Sequence, residues 1–124
     1  MPYAVSWQVE LAIKPGKRDA FRALTREMVE STKGEEGVLI YERFMSDDGS
    51  TAYVYERYVN SASAVSHLLA FNKQFGERFV ELVDRKRFTV FGVPSDELKR
   101  LLDTFNADYH KPLDGFCANG TSQG

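Results

Sequence analysis

From Tyr3 to Ile13 apolar and polar residues alternate. Val5, Trp7, Val9, Leu11 and Ile13 fall on one face, Ser6, Gln8 and Glu10 on the other. That period of two predicts a strand with one apolar side. Lys14-Pro15-Gly16-Lys17 breaks it. From Lys17 to about Lys33, Phe21, Leu24 and Met28 recur at helical spacing among Arg18, Asp19, Arg22, Arg26 and Glu27, which predicts an amphipathic helix. Gly34 and Gly37 bracket its exit, as a helix C-terminus prefers.

Two β-branched and aromatic runs follow, Val38 to Ser46 and Thr51 to Val59, around Ser46-Asp47-Asp48-Gly49-Ser50. The Asp-Gly pair signals a tight hairpin. With Asp48 and Gly49 at the centre of the turn, Tyr41 lies opposite Glu56 and Glu42 opposite Tyr55. One face then carries Leu39, Tyr41, Arg43, Met45, Ala52, Val54, Glu56 and Tyr58; the other carries Val38, Ile40, Glu42, Phe44, Tyr53, Tyr55, Arg57 and Val59. Both faces are mostly apolar, each with one diagonal Glu/Arg pair, Arg43 with Glu56 and Glu42 with Arg57. One layer of helices covers only one such face, so a second copy of the chain is expected on the other.

Asn60 or Ser61 caps a short helix through Ala70, and a further helical stretch places Phe71, Phe75, Phe79, Leu82 and Val83 on one stripe. Lys86 to Val93 reads as a fourth strand, stopped by Pro94. Ser95-Asp96-Glu97-Leu98 opens a last helix with an apolar stripe of Leu98, Leu101, Leu102 and Phe105. Without that helix the order is βαββαβ, a ferredoxin-like α+β fold: an antiparallel four-stranded sheet with helices on one face. One domain is expected over residues 1–94, with 95–118 a C-terminal helical extension of it and 119–124 a small, polar, disordered tail.

Composition narrows the partners. The net charge is −2 and there is no basic cluster, which argues against nucleic acid or an anionic membrane surface. No apolar run approaches the roughly 20 residues of a membrane span, and the N-terminus does not read as a signal peptide. A single cysteine, Cys117, leaves no internal disulfide framework and fits a reducing, cytoplasmic setting. No metal-ligand spacing and no glycine-rich phosphate loop appears. Aromatic residues reach 13%, enough for a large core or an aromatic-lined cavity, and composition does not choose between them.

Gly37-Val38-Leu39-Ile40-Tyr41, the acidic hairpin, Tyr53-Val54-Tyr55-Glu56-Arg57-Tyr58 and Ala64-Val65-Ser66-His67-Leu68 together resemble the antibiotic biosynthesis monooxygenase domain, over roughly Val5 to Val93. That family shows a glycine-led strand ending in tyrosine, a strand with glutamate two residues before an aromatic, and a histidine-leucine pair on the next helix. Here those positions are Tyr41, Glu56, Tyr58, His67 and Leu68. The resemblance implies a dimeric α/β barrel and oxidation of a quinol or phenolic aromatic by dioxygen with no metal, flavin or other cofactor. Such a reaction needs a proton acceptor and a dry aromatic pocket. His67 fits the first role, with Glu56 and Tyr41 as orienting groups; Trp7, Tyr58, Phe71 and Phe75 fit the second. The family departs here in carrying Tyr58 where tryptophan is frequent and in a longer segment after Pro94, a candidate lid or dimer contact. Haem degradation, found in one branch of the superfamily, is not expected, since the iron-ligand position falls near Gly76 or Glu77.

Each candidate has a plainer reading. A lone helical histidine is more often structural, Glu56 with Arg43 reads first as a sheet salt bridge, and the Phe71, Phe75 and Phe79 stripe reads first as core. His110 and Cys117 read as bystanders. A non-catalytic small-molecule binder and a lyase or isomerase remain the alternatives to an oxygenase.

Overall fold

A computed structural model of the chain describes residues 4–118. Its elements are β1 (Val5–Ile13), α1 (Arg18–Lys33), β2 (Val38–Met45), β3 (Thr51–Tyr58), α2 (Ser61–Gln74), α3 (Gly76–Leu82), β4 (Val83–Phe91), α4 (Asp96–Asp103) and β5 (Asp108–His110). The sheet runs in the order β2-β3-β1-β4-β5. Its first four strands are antiparallel, the ferredoxin-like arrangement expected from the pattern, and the sheet remains open. Among the described residues no helix is long and apolar enough to cross a membrane.

The hairpin register is the one the alternation implies, Tyr41 opposite Glu56 and Glu42 opposite Tyr55. Its turn is built differently. Gly49 N donates to Ser46 O, so Asp47 and Asp48 occupy the centre and Gly49, at φ +72°, takes the left-handed position that follows. Asp48 accepts hydrogen bonds from the Ser50 amide and from the Ser46 and Ser50 hydroxyls, which hold its carboxyl at about 2. The register also slips between Val38 and Ile40. That bulge turns Val38 toward the core and leaves Leu39 exposed, reversing the faces expected for these two residues. At Gly37, φ is +84° and a Cβ would meet the Ser63 side chain, so glycine lets the strand begin directly beneath α2.

Four other expectations change. The sheet has five strands, because β5 adds to the outer edge of β4 in parallel; three residues carry no alternation from which to read a strand. Asn60 is the cap, its side chain accepting from Ser63 N, but α2 continues to Gln74 and breaks at Phe75, four residues later than the pattern suggested. Val83, expected on the helical stripe, opens β4 instead. The strand ends at Phe91, two residues short of its expected limit. The tail expected over 119–124 lies outside the described residues.

One core forms between the sheet and the helices. Val5, Trp7, Val9 and Leu11 of β1 meet Phe21, Leu24 and Met28 of α1, Leu68 of α2, Phe79 of α3 and Leu98 and Leu102 of α4. The opposite face of the hairpin is only partly covered, with Arg57 buried but Phe44 54% and Tyr53 39% exposed. Leu98 and Leu102 are wholly buried in the shared core, each contributing roughly 1.5–3 kcal/mol by burial. Leu102→Ala is therefore expected to lower stability by about 2–5 kcal/mol in urea unfolding, with one cooperative transition. A loss under about 0.5 kcal/mol would instead make α4 an accessory to the domain.

Candidate functional site

The inner face of the hairpin buries an ion. Glu56, on β3, accepts hydrogen bonds at Oε1 from Trp7 Nε1 of β1 (3.0 Å) and from the Tyr58 hydroxyl (2.6 Å), and at Oε2 from Arg43 Nη2 of β2 (2.5 Å). Burial alone pushes a carboxyl up; the Arg43 charge, His67 and the Tyr58 hydrogen bond together outweigh it and hold Glu56 below the usual carboxylate range. The same environment pushes the Tyr58 phenol well up, through desolvation first and the Glu56 charge second. Glu56 stays ionised and Tyr58 stays neutral.

His67 projects from the second turn of α2 into this group and is buried. Its Nδ1 lies 2.9 Å from Glu35 Oε1 and its Nε2 lies 3.7 Å from Glu56 Oε1. With Glu35 ionised, Nδ1–H donates to that carboxylate and Nε2 keeps the basic lone pair. A proton taken up at Nε2 forms an imidazolium with a carboxylate at each end. Tyr41 meets His67 edge-on, ring centroids 5.4 Å apart, and the Arg43 guanidinium lies 3.4 Å over the Tyr41 ring. Burial first, and Glu56 second, push the Tyr41 phenol up to about 12.

A cavity of about 40 Å³ opens beside this cluster. Its walls include Trp7, Arg43, Glu56, His67, Phe71, Arg85 and Phe105. That space suits a few water-sized molecules and lies far below the roughly 300 Å³ of an ordinary small-molecule pocket. An aromatic ring enters only when wall side chains move aside. Among the described residues, no three His, Cys, Asp or Glu side chains gather as metal ligands would.

The family model for antibiotic biosynthesis monooxygenase matches residues 4–69, more than half of the chain and the span that holds Trp7, Glu35, Tyr41, Arg43, Glu56, Tyr58 and His67. The chain belongs to that family. MupZ from Pseudomonas fluorescens is similar to it at 23% identity and a TM-score of 0.79, with 93% of this chain and 94% of MupZ covered. A putative antibiotic biosynthesis monooxygenase from Bacteroides thetaiotaomicron reaches 19% identity and a TM-score of 0.62, covering 71% of this chain and 85% of its own. Rv0793 from Mycobacterium tuberculosis shares 29% identity at a TM-score of 0.55, covering 75% of this chain and 96% of its own. No curated protein sequence matches the chain. The longer match to MupZ extends into the segment after Pro94, whereas the shorter two have the length of the βαββαβ unit alone.

Within this family member, Trp7, Glu56, His67 and Phe71 from the sequence-derived set meet at the cavity wall. Tyr58 sits behind them with no exposed surface, its ring tilted against Trp7 with centroids 4.9 Å apart. Phe75 packs on the far side of Phe71, and Tyr41 lines a separate cleft with Thr32, Glu35 and Val38. His110 is on β5, near Phe91 rather than this site. Two contributors escaped the sequence reading. Glu35 follows α1 in an irregular stretch, where no periodicity selects it. Arg85 lies one residue before Lys86, where the fourth strand is expected to begin, so no alternation assigns it a face.

Removing the charge at position 56 leaves the buried Arg43 guanidinium without its counter-ion. Glu56→Gln is expected to lower stability by roughly 3–5 kcal/mol at pH 7. Because the folded carboxyl titrates below its unfolded value of about 4.3, its contribution is complete above that pH and fades as the pH falls through the folded value. The difference from wild type should therefore narrow on acidification toward about pH 3 in denaturant titrations. A difference independent of pH would mean that Glu56 is not ionised in the fold.

Proposed function

We propose that the protein is a cofactor-independent monooxygenase acting on a small quinol or phenolic aromatic with dioxygen, as a cytoplasmic homodimer. The observation that carries this reading is His67 on the cavity wall, held between Glu35 and Glu56. Membership of the monooxygenase family supports the oxidative half of the assignment. A phenol hydroxyl at His67 Nε2 gives up its proton there; Glu35 keeps the ring in the required tautomer and Glu56 stabilises the imidazolium. The phenolate is the electron donor to dioxygen. One oxygen atom enters the ring and the other leaves in water with two substrate hydrogens, so a quinol and dioxygen give a hydroxyquinone and water. Trp7 and Phe71 supply flat apolar walls. Tyr41, kept neutral, packs against the imidazole edge and fixes its orientation.

A second reading, a lyase or isomerase, is favoured by the same flanked imidazole, since a histidine between two carboxylates relocates protons whether or not oxygen takes part. Oxygen uptake with a panel of quinols separates the two. The oxygenase reading expects stoichiometric consumption, with His67→Ala lowering kcat/KM by about 100-fold or more. Turnover that survives His67→Ala within about twofold rejects His67 as the base. Thermal stabilisation by aromatic ligands without oxygen uptake or any product points to a binder.

The dimer rests on the partly covered hairpin face, where Phe44 and Tyr53 stand exposed beside the half-buried Ile40 and Tyr55. Sedimentation at micromolar protein is expected to give a dimer, and Phe44→Glu to shift it toward monomer. A wild-type monomer at that concentration overturns the assignment.

A further inference from the structure

Arg85 is a half-buried cation on the cavity wall, hydrogen-bonded to no carboxylate among the described residues. It lines the cavity, and its guanidinium lies 4.5 Å over the Phe105 ring and 5.1 Å over Phe79, with no hydrogen bond or ion pair to either of its neighbours' acids. Its inward direction comes from a local irregularity. On β4, Val83 and Arg85 face the core, yet so do Phe88 and Val90, and simple alternation cannot satisfy both pairs. The register against β1 shifts between Glu10 and Leu11, where Leu11 pairs with Arg85 and Glu10 with Arg87. That bulge places Lys86 and Arg87 both outside and turns Arg85 in. Desolvation lowers the pKa of the guanidinium, and the Glu56 charge only partly opposes it.

The cavity has two chemically different ends. Arg43 and Glu56, from β2 and β3, pair with each other beside His67 and leave no net charge. Arg85, from β4 on the other side of β1, stands among Phe79, Phe88 and Phe105 with no ion pair of its own, the Glu56 charge acting on it only through space. His67 and Arg85 line the same cavity, so a molecule with its reacting hydroxyl at His67 has Arg85 on the wall around it. A phenol arrives neutral and meets the acid–base end; the charge that suits Arg85 has to be carried by another group, and a planar guanidinium fork matches a carboxylate.

We infer that Arg85 binds a carboxylate on the substrate, so that the natural ligand is a hydroxyaromatic acid or a similarly extended hydroxy acid rather than a neutral quinol. The inference rests on the proposed use of this cavity as the substrate site, and not on the oxygen chemistry.

Trp7 is the only tryptophan and lines the cavity, so its fluorescence reports occupancy directly. The test compares gentisate with hydroquinone, which differ by one carboxylate, for wild type, Arg85→Met and Arg85→Lys at pH 7. Wild type is expected to bind gentisate about tenfold or more tighter than hydroquinone. Arg85→Met, which keeps the aliphatic stem between the phenyl rings, should abolish that preference and raise Tm in the ligand-free protein, since a poorly solvated lone charge is removed. Arg85→Lys, which keeps the charge but not the fork, should retain part of it. Equal binding of the two ligands by wild type, no gentisate binding up to millimolar concentration, or a preference unchanged in Arg85→Met each overturns the inference. Oxygen uptake measured in parallel keeps the two ideas apart: consumption with hydroquinone but no carboxylate preference leaves the oxygenase standing without Arg85, and Arg85-dependent binding without consumption does the reverse.

Discussion

A carboxylate buried without donors is one of the least favourable things a protein interior can contain, and this structure is arranged around preventing that at Glu56. Three strands and one helix contribute: the indole of Trp7 from β1, the guanidinium of Arg43 from β2, the phenol of Tyr58 from β3 and the imidazole of His67 from α2. These contacts exist only in one register, because a slip of a single residue in a strand moves its side chains to the opposite face. The ion thus specifies the alignment of β1, β2 and β3 more than it adds net stability. It also sets the electrostatics of the cavity, keeping the Tyr58 and Tyr41 phenols neutral.

The other end of the cavity follows a different logic. Around Arg85 the protein holds a cation against aromatic rings without pairing it, and it bends β4 to do so. Stability alone does not select such an arrangement, since an apolar residue would fill the same space without desolvating a charge. At the acid–base end Arg43 pairs with Glu56 through Nη2, while its buried Nε and Nη1 find no hydrogen-bond partner; at the other end Arg85 has no ion pair among the described residues. That contrast gives the cavity a direction along which an asymmetric ligand can lie.

The C-terminal segment joins the cavity to the rest of the fold. Leu98 and Leu102 of α4 are buried in the common core, Phe105 stacks on Phe88 at 5.3 Å and lies beneath Arg85, and the chain then returns as β5 along the edge of β4. The helix is part of the core, and Phe105 just after it is a wall of the cavity. The match to MupZ, at 93% of the chain, takes in part of this segment. On the outer face of the hairpin Arg57 is buried, while Phe44 and Tyr53 remain exposed.

Periodicity alone determined much of this protein. The alternation of β1, the helical spacing of Phe21, Leu24 and Met28, and the Asp-Gly turn were enough to place Tyr41 opposite Glu56 and to put Trp7, Arg43, Glu56 and Tyr58 on core-facing sides, because a strand's side chains have only two directions to take. The residues of the family motif could likewise be read in order, and His67 with them. What needed the tertiary structure were features that break the period or depend on distant partners. The bulges at Val38 to Ile40 and beside Arg85 each reverse a face, the three residues of β5 become a strand only because β4 is there to pair with, and Glu35 reaches His67 from a stretch with no pattern. Local spacing reports which side of an element a residue occupies. It does not report which charges from different elements meet, and in this protein that meeting decides the chemistry.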